Sequence, residues 1–129
     1  MPRKRPAIRA TTIAVLASRI AYGAALLVSP ERVAGNRWLG PGAARPAAKV
    51  PLRGLGAREV ALHGAALAGF LRGSPIRPFL AASIAGDVGD IAATTVARDG
   101  LPDGSAPATA AVAGGSLLLT ALVAALNGE

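Results

Sequence analysis

Apolar positions in this chain fall into four long runs, separated by short stretches rich in proline, glycine and charge. The runs cover about 10–29, 54–71, 78–97 and 107–126. Each has about the ~20 residues a helix needs to cross ~30 Å of hydrocarbon. A water-soluble bundle would show a charged face on every helix, and the fourth run carries no charge at all. The runs are too long and too alanine-rich for spanning strands. The pattern therefore predicts an all-α fold, a four-helix transmembrane bundle spanning 10–127 as one domain.

The breakers agree with these limits. Ser29-Pro30 ends the first run, and Arg72-Gly73-Ser74-Pro75 ends the second. Pro78 falls in the first turn of the third, where proline is tolerated. Asp99 to Gly104 forms a turn-rich connector, and Pro107 starts the fourth. The segment 1–9 reads as a basic cytoplasmic tail. Its start resembles a signal peptide with a small-residue cut after Ala17, but Arg19 and the apolar run to Val28 fit a retained helix better.

Within the runs, polar residues keep a helical period. At about 100° per residue, Ser83, Asp87, Asp90 and Thr94 fall within about 60° of one another. Glu59 and His63, four apart, share a face with Ala66 and Phe70, while Arg58 points about 100° away. Thr12, Arg19, Tyr22, Gly23 and Leu26 share a face of the first run, and Thr109, Ser116 and Thr120 align beside Ala113 on the fourth. Ionisable groups in hydrocarbon cost a few kcal/mol or more each, so they turn inward and pair. The expectation is a shared polar interior in which Arg19 and Arg58 answer Glu59, Asp87 and Asp90. Asp87 and Asp90, three apart in low dielectric, would resist double ionisation, and a protonated His63 or carboxyl would close the charge gap. On the fourth run, Ala110-xxx-Gly114 and Gly114-Gly115 read as a close helix contact.

Composition narrows the setting. Hydrophobic residues make up 52% of the chain but aromatics only 3%, so a soluble core would lack large side chains, whereas Ala and Gly suit close packing in lipid. Mean hydropathy is +0.46. The net charge of +7 lies beside the apolar runs, and base-stacking aromatics are scarce, which points to lipid headgroups and excludes nucleic acid as a partner. With no cysteine, disulfides, thiolate metal sites and cysteine nucleophiles are excluded. Arginines near Glu59, His63, Asp87 and Asp90 weigh against a metal, and no cofactor is expected.

The charges at the N-terminus, in 72–77 and in 99–103 fit a multi-pass protein of the cell membrane with both termini in the cytoplasm. Arg32, Arg37, Arg45, Lys49 and Arg53 of the first connector disagree with that count. This basic connector, 30–53, is read as partly interfacial. Trp38, the only tryptophan, would anchor it, and Arg37 and Arg53 would hold a phosphate or carboxylate headgroup. Gly54 and Gly56 would let the second helix start close against a neighbour.

The residues Arg19…Gly23, Pro30, Arg37-Trp38-Leu39-Gly40, Arg53-Gly54-Leu55-Gly56-Ala57-Arg58-Glu59 and Asp87-x-x-Asp90 resemble a family of small four-helix integral membrane proteins of unknown function from actinobacteria and fungi, distantly similar to DoxX-like proteins. The resemblance covers about 12–126. It implies a four-helix membrane fold and brings no activity with it. His63 departs from the small residue such proteins often show there.

Three functions fit this sequence. In the first, the polar interior binds an apolar or lipid-like molecule and transforms it by acid–base chemistry. Asp87, Asp90 and Glu59 would be the catalytic groups, with Arg19, Arg58, His63 and Tyr22 as charge or ligand partners. In the second, the protein is a non-catalytic assembly subunit whose buried charges lock its helices. In the third, a homo-oligomer forms a proton-coupled transporter.

Overall fold

Proline opens the helices of this protein, because the first turn of a helix has N–H groups with no partner to lose. In a computed structural model, which describes residues 5–128, α1 (Pro6–Val28), the short α2 (Pro30–Ala34) and α3 (Pro46–Leu71) begin on proline. Proline occupies the first turn of α4 (Arg77–Val96) and of α5 (Ser105–Leu126). Helix accounts for 84% of the structure, and no strand occurs among the described residues.

The boundaries shift at two places. Residues 6–9, expected in the basic tail, form the first turn of α1; Arg3 and Lys4 lie outside the described residues. The second long helix starts at Pro46, eight residues before the expected 54, with Pro51 inside it. Pro51 cannot bond the carbonyl of Ala47, but both residues are exposed, so solvent or headgroups can satisfy that oxygen. Much of the connector read as interfacial is therefore helix.

The long helices alternate in direction. The guanidinium of Arg9, early in α1, lies 5.7 Å from the ring centre of Phe70, late in α3. At the other end, Arg53 Nε donates to the carbonyl of Leu27 at 3.1 Å. α1 packs along α3 and α4 along α5, with less contact between the two pairs. Two apolar clusters sit at opposite ends. Leu16, Ala66, Phe70, Ile76, Leu80 and Val123 fill one, and Leu26, Ala34, Ala43 and Leu52 the other. The polar layer lies between them.

By length and composition, α1, α4 and α5 could each cross a membrane. α3, expected as a fourth span, is not among them, because Arg58, Glu59 and His63 interrupt its apolar stretch. Only 17% of the apolar stretch of α5 is buried inside the protein. Leu118, Leu119 and Leu122 of α5 are exposed, as are Val88 and Val96 of α4.

Candidate functional site

Small residues bring α1 and α3 close enough for their charges to meet. A Cβ on Gly23 would stand 2.8 Å from the Gly56 carbonyl oxygen, and one on Gly56 would stand 2.6 Å from that of Gly23. One turn before Gly23, Arg19 leaves α1 and reaches both carboxylates of the layer. Its Nε and Nη2 donate to Glu59 Oε2 and Oε1 at 3.0 and 3.1 Å. Its Nη1 and Nη2 donate to Asp87 Oδ2 and Oδ1 at 2.8 and 2.9 Å. All three side chains are buried. The planar fork of arginine gives two parallel donors to each of two carboxylates, a bidentate match that the point charge of lysine lacks. The lock spans both helix pairs, since Glu59 is on α3 and Asp87 on α4.

His63 completes the layer. Its Nδ1 lies 2.8 Å from the Glu59 carbonyl oxygen and its Nε2 2.8 Å from Ser83 Oγ. A neutral ring protonated at Nδ1 satisfies both contacts: the N–H donates to the carbonyl, and Nε2 accepts from the serine hydroxyl. The extra positive charge expected here is not required. More hydrogen bonds tie α4 and the ends of α5 to α1 and to the connector. Asn127 Nδ2 donates to Thr12 Oγ1 at 2.9 Å. Trp38 Nε1 donates to Thr94 Oγ1 at 2.9 Å, and Ser105 Oγ donates to the Trp38 carbonyl. Polar side chains thus join two pairs that pack less closely on each other than within themselves.

Above the lock, toward the connector, lies a cavity of about 360 Å³. Arg19, Glu59 and Asp87 line its floor, and Val33, Asn36, Arg37 and Trp38 line the connector side. α5 contributes Ala108, Thr109, Val112, Ala113 and Ser116. Ser18 and Tyr22 of α1, Asn36 and Arg37 of the connector and Val112 of α5 are exposed as well as lining it, so it opens where these elements meet. Asp90 lines the same space, half-buried, and makes no hydrogen bond or ion pair among the described residues. Thr109 Oγ1 is buried and also without a hydrogen-bond partner.

The polar stripes of α1, α3 and α4 face one another as their spacing requires. Glu59, Asp87, Arg19 and His63 meet, and Asp90 and Tyr22 reach the adjoining cavity. Two expectations are corrected, for Arg58 and for three of the glycines. Arg58 is exposed, pairs with no carboxylate among the described residues and does not line the cavity, as its rotation away from Glu59 requires. Arg53, expected to hold a headgroup, is exposed, and its Nε caps the end of α1 through the Leu27 carbonyl. Trp38, expected as an interfacial anchor, is half-buried and donates its indole N–H to Thr94. Gly54, Gly114 and Gly115 have nothing within 4 Å of a built Cβ, so only Gly56 among these marks a close crossing.

Sequence reading missed the roof of the cavity. Gly40 has φ +62°, and a Cβ there would meet Pro102 Cγ at 2.6 Å. The backbone conformation and the close approach both favour glycine, and they press the connector onto the α4–α5 loop. The Gly40-Pro41-Gly42 run was the available signal. No protein-family model, curated protein or solved structure matches the chain.

Proposed function

We propose that this is a multi-pass membrane protein whose cavity binds an apolar or lipid-like small molecule entering between α1 and α5. The observation that carries this reading is a cavity that combines an apolar wall on α5 with an unpaired carboxylate, Asp90, above a satisfied ionic floor. Ligand sites of this size are mostly apolar with a few polar groups that fix orientation. The exposed apolar surfaces of α4 and α5 support a lipid setting, in which that opening would face hydrocarbon. The likeness to DoxX-like membrane proteins belongs to the same proposal and adds no activity.

The three carboxylates then differ in role. Glu59 and Asp87 give their oxygens to Arg19, which supports a locking role for that triad. Asp90 is the carboxylate open to a ligand, and any acid–base step would use it, with Tyr22 beside the same space.

Trp38 lines the cavity and is the chain's only tryptophan, so its emission reports occupancy. In phosphatidylcholine proteoliposomes, 1-adamantanol is expected to change that emission saturably in the wild-type protein. Ala113→Phe, which fills the α5 wall, should abolish the change. A purely linear response, or an equal response in the filled variant, contradicts the reading.

A further inference from the structure

We infer that the ligand is an organic monocation, a hydrogen-bearing ammonium on a compact apolar body, and that Asp90 is its counter-ion. This rests on the ligand-binding reading above and names the chemical class.

The charge around the cavity is the first argument. Arg19 is the one cation of the floor, and its hydrogen bonds go to Glu59 and Asp87. One guanidinium faces two carboxylates there, and Asp90 adds a third beside them. His63 needs no charge to satisfy its contacts. Arg58 acts on Asp90 electrostatically but makes no ion pair with it. Arg37 lines the cavity from the connector and is exposed, where solvent and salt screen its charge. The partly desolvated space beside Asp90 therefore lacks positive charge.

Thr109 is the second argument and is independent of charge. Its hydroxyl is nine-tenths buried, has no hydrogen-bond partner among the described residues and lines this cavity. A buried hydroxyl left unpaired costs about 1–3 kcal/mol. An ammonium supplies several N–H donors, one to the Asp90 carboxylate and another to the Thr109 oxygen. Tyr22 and Trp38 line the same space, and aromatic rings favour cations. Among the described residues no group of three or more His, Asp or Glu side chains is arranged for a metal ion, so an organic cation fits better. The aliphatic wall of α5, Val112 and Ala113, accommodates its apolar part.

Three adamantane cages with different head groups test this with the full chain in phosphatidylcholine proteoliposomes, read by Trp38 emission. 1-Adamantylammonium should bind at least about tenfold more tightly than 1-adamantanol, the size a charge-assisted hydrogen bond gives. 1-Adamantanecarboxylate should bind most weakly. In Asp90→Asn the ammonium should fall to the level of the alcohol, while Asp90→Glu should keep most of the preference. Thermal unfolding of each variant checks that it is folded. Equal saturable binding of all three cages overturns the cation assignment and leaves the cavity reading standing. A preference for ammonium that survives in folded Asp90→Asn removes Asp90 as the counter-ion and overturns the proposal. No saturable response to any cage overturns both readings.

Discussion

Gly23 and Gly56 each present a backbone carbonyl where the other's Cβ would stand, at 2.8 and 2.6 Å. That mutual approach holds α1 against α3 and places Arg19 within reach of Glu59. Gly23→Ala or Gly56→Ala should therefore push the helices apart and weaken the lock together with the packing. The expected loss is about 1–3 kcal/mol for each. Gly114→Ala, with nothing within 4 Å of its built Cβ, should leave stability nearly unchanged. Unfolding of the three variants in a mild detergent compares them directly.

Arg19 is one charge shared by two buried carboxylates, so its removal should be costlier than removal of the whole triad. Arg19→Met leaves Glu59 and Asp87 buried without their donor and should cost about 3–5 kcal/mol. The triple variant Arg19→Met, Glu59→Gln, Asp87→Asn removes the charges together and should recover most of that loss. Denaturation of the single and triple variants measures the difference. A triple variant no more stable than Arg19→Met would show that the charges do not act as a unit.

The contact between His63 Nε2 and Ser83 Oγ, at 2.8 Å, joins α3 to α4. Ser83→Ala leaves a buried ring nitrogen without its partner and should cost about 1–3 kcal/mol. In the wild-type protein, ¹⁵N spectra of labelled His63 should show the proton on Nδ1, where the Glu59 carbonyl accepts it. An Nε2-protonated neutral ring would contradict this assignment.

Whether α4 crosses a bilayer is open to direct labelling, because the chain has no cysteine of its own. The membrane reading puts the α3–α4 and α4–α5 connectors on opposite sides. Ser74→Cys and Asp103→Cys should react with an impermeant maleimide from opposite faces of sealed vesicles, and Leu118→Cys from neither. Reaction of both connectors from one face would remove the spanning arrangement.

Much of this layer was legible because charges in apolar runs have few ways to be satisfied. The 3.6-residue period put Asp87 on the stripe that faces Arg19, and Glu59 on one face with His63. It also turned Arg58 away, although the charge count alone had enlisted it. The start of α3 was not legible, because Pro51 resembles a breaker until its exposed position is known. The inward turn of Trp38 depends on Thr94, Ser105 and the packing of Gly40 on Pro102, contacts between segments far apart in sequence. Helical phase cannot supply such contacts. For the same reason, Asp87 and Asp90 looked equivalent in sequence, and only the packed helices separate the locked carboxylate from the open one.

That separation is the account's central claim, and comparing Asp87→Asn with Asp90→Asn tests it most directly. Each protein is assayed for thermal unfolding and for the Trp38 response to 1-adamantylammonium. Asp90→Asn should unfold close to the wild-type temperature and lose the tight, charge-dependent response. Asp87→Asn should unfold clearly lower, because it weakens the Arg19 lock. An Asp90→Asn protein that keeps the full response, or that is destabilised as much as Asp87→Asn, would contradict the account.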